Sequence, residues 1–438
     1  ATAMAGIAAA IALLGLELHM LGPAPADHLF FWGTAAFASA MTVFIGFLPI
    51  LIAVVLAEAF SIRSLLIYAA VGAAIFLVEA SAMPAVRAAS LSADGLDHAL
   101  WRGLAELGWC GVHLSEAAGG LGLGMVELVL LQEQLGRRLA CVPFFDSVAL
   151  AATALRELPE SPLAQDWLQQ LAAGEAIGVL ALPADRAGTP SAIATPNAPT
   201  DAGWTLHGHW PQVGSAAMAD VLLLPAQTAA GESLLFAVPA EAPGLQVQPL
   251  STLDATRRSA AVQAGGVTLA ASSCIGRGAP LDGLLARVQQ LAAIALAAEQ
   301  VGVAQQCLDL TLAYAAQRCQ FDRSIASFQA VKHRCAQMLV AVESARSAVY
   351  GAACMADTTP DAQTLLLHAA QARVAATEAA QFCAREAIQL HGGVGFTWEF
   401  DPHLYLRRAQ ASSQRLAPAS WWLEKVAEQL LDTPEDTV

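Results

Sequence analysis

Tyr314-Ala-Ala-Gln-Arg318-Cys-Gln-Phe321-Asp-Arg-Ser-Ile325-Ala-Ser-Phe328-Gln329-Ala-Val-Lys-His333 is the stretch from which the fold can be read. It interrupts two long runs, Leu281 to Ala316 and Ser327 to Met355, whose apolar residues recur at helical spacing. Arg318 and Arg323 frame Gln320-Phe321-Asp322 in the turn between them. The planar fork of Arg318 matches phosphate oxygens, so the turn can pair with a pyrophosphate; a solvated surface arginine is the plainer reading of the same residue.

Downstream, Thr359-Pro360 breaks the pattern before a third helical run, Asp361 to Leu390, which ends in His391-Gly-Gly-Val-Gly395. Consecutive glycines there serve either as a helix C-cap or as exposed backbone donors for an anionic or ribityl cofactor. Upstream, short β-compatible runs separated by Pro and Gly turns span Ile177 to Leu182, Gly203 to Trp210, Asp220 to Leu224, Leu234 to Val238, Leu245 to Pro249 and Ala260 to Leu269. They predict an antiparallel β domain. Before it, Leu100 to Leu107, Met125 to Leu139 and Ser147 to Leu158 predict a small helical domain. The expected class is therefore mainly α with a central antiparallel β domain and a C-terminal four-helix-type bundle: 86–175 helical, 176–277 β and 278–438 bundle.

Residues 1–85 read differently. The chain is 56% hydrophobic and 13% charged, and no Lys or Arg occurs up to Ile62. Apolar runs from Met4 to Leu21, Leu29 to Ala57 and Ser64 to Val78 predict about three transmembrane helices, with Glu17, Glu58 and Glu79 as boundary markers. No basic region precedes the first run, so no signal peptide is expected. The net charge of −15 argues against nucleic-acid binding. Eight scattered cysteines without CxxC pairs suit a reducing compartment. Gly119 to Gly124 lacks the strand, Lys and Ser/Thr of a phosphate loop and reads as a turn. The histidines, His207 and His209 included, form no ligand cluster, so no metal is assigned. No GxSxG elbow is present.

The turn at Arg318 resembles the first flavin signature of the acyl-CoA dehydrogenase family. Gln389-Leu-His-Gly392-Gly393-Val-Gly395-Phe-Thr-Trp-Glu399, followed by Leu404-Tyr-Leu-Arg407-Arg408, resembles the second. Trp101 to Gly108, Gly119 to Gly124, Glu133-Gln-Leu-Gly136 and Leu253-Asp254-Ala-Thr-Arg257-Arg258 extend the likeness over about Trp101 to Leu416. The resemblance implies FAD shared between subunits: Arg318, Phe321 and Gln329 on its diphosphate and ribityl side, and Gln389, Gly392 and Gly393 reaching it from a neighbouring subunit. It also implies an acyl-CoA substrate, α,β-desaturation, an electron-transfer acceptor and a homo- or hetero-oligomer.

In that family a Glu removes the α-proton. Its usual place, in a Tyr-Glu-Gly-Thr-like segment, aligns with Leu416, and its alternative place on the first bundle helix aligns with Ala292. Neither side chain can accept a proton. The family's Thr-Glu-Pro-x-Ala-Gly-Ser-Asp stretch is replaced by Leu182-Pro-Ala-Asp-Arg-Ala-Gly-Thr189, and Asp322 stands where a Gly is usual. The catalytic residue is unassigned, with Glu299 and Glu399 the remaining candidates. The expectation is a degenerate subunit working beside a complete one. The alternative is an inactive scaffold that anchors a partner dehydrogenase at the membrane. The dehydrogenase-like part is expected in the cytoplasm, held at the membrane by residues 1–85, or simply cytoplasmic if those are a fusion artefact.

Overall fold

The computed structural model describes residues 76–77, 80–182, 192–197, 203–358 and 360–431. The helical domain contains α1 (Met83–Leu91), α2 (His98–Glu106) and α3 (Met125–Arg138). A π-helical segment, Phe145–Ala152, then runs into α4 (Thr153–Arg156), and α5 (Pro162–Ala172) follows. Asp97 caps α2 by accepting from Leu100 N, and Ser161 caps α5 by accepting from Ala164 N. Gly124 has no side chain with which to cap α3. Asp357 substitutes from a distant helix, accepting from Met125 N at 2.6 Å and Val126 N at 3.2 Å.

The β domain holds β1 (Gly178–Leu180), β2 (Ala192–Pro196), β3 (Trp204–Gly214), β4 (Val221–Gln227), β5 (Ser233–Pro239), β6 (Leu245–Pro249), β7 (Ser259–Leu269) and β8 (Cys274–Arg277). They form one sheet ordered β6-β7-β3-β2-β4-β5-β8, with β1 beside β4. The sheet is mixed, which corrects the purely antiparallel expectation: β1 and β2 both run parallel to β4. β1 enters straight from the helical domain and is buried at all three residues, as a parallel strand covered on both faces should be. Its neighbour β4 is equally apolar, Val221 to Leu224 being fully buried.

The third part is built on α6 (Ala279–Gln317), α7 (Gln329–Asp357) and α8 (Ala362–His391). The hairpin β9 (Cys319–Gln320) and β10 (Arg323–Ser324) joins the first two, and α9 (Pro402–Gln414) and α10 (Ala419–Leu431) follow. Among the described residues α6 alone is long and apolar enough to cross a bilayer, yet 89% of its most apolar window is buried inside the fold. It is the central core helix of the bundle.

Two of the three expected membrane runs, and the third as far as residue 75, lie outside the described residues. The end of the third is corrected. Leu77 is fully buried in the helical-domain core, and Phe76 meets Trp109 edge-on with ring centroids 5.6 Å apart. Apolar residues that bury a protein core read like bilayer-facing ones when only composition is considered.

Helices α3 and α6 cross at very short range. A methyl group on Gly136 would lie 2.2 Å from the Glu299 carbonyl oxygen, and one on Gly302 would lie 2.0 Å from that of Glu133. Reciprocal glycines let the two helices touch backbone to backbone. Gly302→Ala should therefore destabilise the protein by roughly 1–3 kcal/mol through overpacking, seen as a lower thermal midpoint. An unchanged midpoint would mean that the helices can part without cost.

Candidate functional site

Arg318, Phe321, Gln329, Gln389, Gly392 and Gly393 are all exposed, and the two segments that carry them meet at one end of the bundle. Tyr314, in the last turn of α6, stacks on His391, the last residue of α8, with centroids 4.3 Å apart and planes 21° from parallel. Phe400 closes against both rings edge-on. His391 donates Nδ1–H to the Ala387 carbonyl at 2.6 Å, and burial holds its pKa below the ordinary histidine value. A neutral aromatic stack thus joins the two motifs.

The Arg318 guanidinium makes no hydrogen bond or ion pair with any described residue, whereas its backbone anchors the hairpin through Ile325 N–H at 2.8 Å. Phe321 is 86% exposed at the hairpin tip. Methyl groups built on Gly392 or Gly393 would meet nothing within 4 Å. A free planar cation, an exposed ring and open glycine backbone suit the diphosphate and ribityl side of a flavin dinucleotide.

A separate cleft of about 610 Å³ lies between the β domain and the loop after α9, lined among others by Leu180, Gln212, Val213, Arg257, Arg415 and Leu416. Leu416 has φ 55° and Ala417 φ 88°, a left-handed pair that favours glycine. The loop thus adopts a glycine-favouring turn without a glycine.

Neither candidate base lines this cleft. Glu299 is 3% exposed and locked: Arg257 donates to it, Arg408 lies 3.5 Å away, Gln132 Nε2 donates at 3.1 Å and Ser412 Oγ at 3.3 Å. Burial alone would raise its pKa, but Arg257 and Arg408 outweigh it and hold the carboxyl below the ordinary range. Glu399 is exposed beside the glycine loop, its pKa lowered first by the Thr397 hydroxyl.

Asp254 does line the cleft, yet its oxygens accept from Thr256 N at 2.9 Å and Arg408 Nε at 2.6 Å, and the Thr256 hydroxyl adds a third bond. Burial would raise its pKa as well, but Arg408 and Arg257 overcome it and hold the carboxyl low. Asp146 accepts from Arg415 and from Ser215 Oγ at 2.7 Å. No cleft carboxylate among the described residues is left free to take a proton.

Three positioning residues escaped the sequence reading. The Arg415 guanidinium stacks over the Phe145 ring at 4.5 Å while it pairs with Asp146, and burial lowers its pKa to about 10. Arg373 is fully buried and donates to the carbonyls of Ser412 at 2.5 Å and Arg415 at 2.8 Å, so it caps α9 from below the cleft loop. Burial lowers its pKa too, to about 10. A lone arginine or aspartate carries no spacing signal, so only three dimensions reveal these pairs.

Comparison with known proteins now decides the family. A family model for the acyl-CoA dehydrogenase N-terminal domain matches residues 73–175, and one for the C-terminal domain matches 287–414. The chain is 36% identical over 351 residues to the acyl-CoA dehydrogenase IpdE2 of Mycobacterium tuberculosis, covering 80% of this chain and 92% of that protein. Another relative from that organism, the acyl-CoA dehydrogenase FadE27, is 31% identical over 353 residues, covering 77% and 89%.

This chain belongs to the acyl-CoA dehydrogenase family. Its members are FAD-dependent oxidoreductases. The ChsE4-ChsE5 complex from M. tuberculosis superposes with a TM-score of 0.77 at 29% identity, covering 85% of this chain and 98% of the other. A second structure, of a variant of the Tcur3481-Tcur3483 steroid ACAD, gives 0.74 at 30% identity, covering 84% and 98%. The N-terminal match begins inside the third apolar run, in agreement with the burial of Leu77.

Because Glu299 has a depressed folded-state pKa, its contribution to stability is complete above the ordinary glutamate value of about 4.3 and is lost as pH falls through the folded value. Glu299→Gln should lose roughly 3–5 kcal/mol at pH 7, since it strands buried guanidinium charge. Its thermal midpoint should also fall less steeply with acid than that of the unsubstituted protein. Equal acid slopes would remove Glu299 as a source of the dependence. Arg373→Met should free the loop carbonyls, loosen the end of α9 and raise hydrogen exchange at the Arg415 amide, which bonds the Ser412 carbonyl; unchanged protection there would deny Arg373 the capping role.

Proposed function

We propose that this chain is a non-autonomous acyl-CoA dehydrogenase subunit, acting in a hetero-oligomer that carries out α,β-desaturation of an acyl-CoA thioester. The observation that carries the reading is a contrast within one chain. The residues that the family's flavin motifs would place on the cofactor, Arg318, Phe321, Gln329, Gln389, Gly392 and Gly393, are present and exposed, while the cleft offers Leu416 where the resemblance would put a base.

FAD, when bound, supplies the hydride acceptor. The α-proton needs a carboxylate, and a complete partner subunit would provide it. Arg318 would neutralise diphosphate charge by paired N–H donors, Phe321 would cover a flat face of the dinucleotide, and Gly392 and Gly393 would allow close backbone approach. The two-protein descriptions of the two solved structures above support a mixed assembly, and an electron-transfer flavoprotein is the natural class of acceptor.

The test is the flavin spectrum of the chain, alone and co-purified with a candidate partner dehydrogenase, before and after anaerobic addition of acyl-CoA. Bleaching only in the presence of the partner is expected. Bleaching by the chain alone would sink the proposal, and absence of flavin from both preparations would favour the scaffold reading. In the complex, Arg318→Ala should weaken FAD retention about tenfold or more, the scale of a lost charge-assisted hydrogen bond.

A further inference from the structure

A second, much smaller cavity of about 20 Å³ lies among Gln132, Asp146, Thr256, Arg257, Glu299 and Arg408, with Leu135, Phe144 and Phe145 closing its apolar side. It shares the Arg257 side chain with the large cleft, so that residue is the wall between the two. Gln132 is 1% exposed. Its amide nitrogen donates to Glu299 Oε2, but its Oε1 accepts no hydrogen bond from any protein group.

A buried amide oxygen without a donor has given up its hydration for nothing in return. Here the donors are close by but committed elsewhere: Arg257 donates to Ser412 and Glu299, and Arg408 to Asp254 and Thr256. Each guanidinium carries five N–H bonds, so both retain uncommitted donors. The charged groups that line the cavity balance, the carboxylates of Glu299 and Asp146 standing against the guanidiniums of Arg257 and Arg408. An ion is therefore not called for. A neutral molecule that both donates and accepts is.

We infer that this cavity is a binding site for one structural water, which donates to Gln132 Oε1 and to a neighbouring carboxylate and accepts from Arg257 or Arg408. The volume exceeds the roughly 10–15 Å³ that one water needs, and the lining supplies the two to four polar partners that hold such a molecule in place. The water completes the polar contact between the helical domain, through Gln132 and Asp146, the β domain, through Thr256 and Arg257, and the bundle, through Glu299 and Arg408.

A crystal structure of the full chain at a resolution that orders solvent tests this. The expected result is a density peak at about 2.7–3.2 Å from Gln132 Oε1, lost in Gln132→Met, whose thioether offers only a weak acceptor. An empty cavity in the unsubstituted protein, with the Gln132 amide turned so that its oxygen meets a protein donor, would overturn the inference. So would a peak that persists unchanged in Gln132→Met, because the amide oxygen would then not be what holds it.

Discussion

The backbone contact of α3 with α6 sets the terms for the rest of the molecule. Where Gly136 and Gly302 let two helices touch, the residues beside them, Gln132 and Glu133 on one and Glu299 on the other, are forced into the interior. Buried charges left without partners are too costly to keep. Partners come from the β domain and from two other helices of the bundle. Arg257 arrives from the β domain and Arg408 from α9 for Glu299, while Arg346 and Tyr350 arrive from α7 for Glu133. The domains are tied where packing alone would have left a polar gap.

That arrangement explains why the most tempting carboxylate is not a base. Glu299 is needed as an anion, surrounded by donors that favour its ionised form, and a proton acceptor must be able to leave such partners. Leu416, by contrast, lies half-buried in the loop after α9 and packs against the core. The backbone there is left-handed at Leu416 and Ala417, and Arg373 holds the carbonyls of Ser412 and Arg415 that precede the turn. Losing Glu299 would strand two guanidiniums, so its carboxylate is tied to the fold.

Elements with a strong period were legible in the sequence. The three bundle helices and six strands lie within a few residues of their expected ends, because length and alternation carry those signals. β2 and β8 were missed: β2 is largely exposed and β8 has only four residues, so neither shows an apolar run. The parallel placement of β1 depends on tertiary contact, which no local pattern records. Of the site, the exposed motif residues were legible because they stand in unbroken order. The Asp146–Arg415 pair, 269 positions apart in the chain, was not.

The hairpin tip provides an argument independent of any motif. Phe321 and Asp322 both adopt positive φ, 54° and 59°, as the two central residues of a tight hairpin turn. Asparagine or glycine is at ease there; a bulky aromatic costs about 1–2 kcal/mol. Among the described residues little offsets that cost, for the ring is 86% exposed and its one aromatic neighbour is Phe328, edge-on at 6.2 Å. Strain combined with exposure, near an arginine that is unpaired among the described residues, marks the hairpin tip as a place where the chain gives up stability for something other than its own packing.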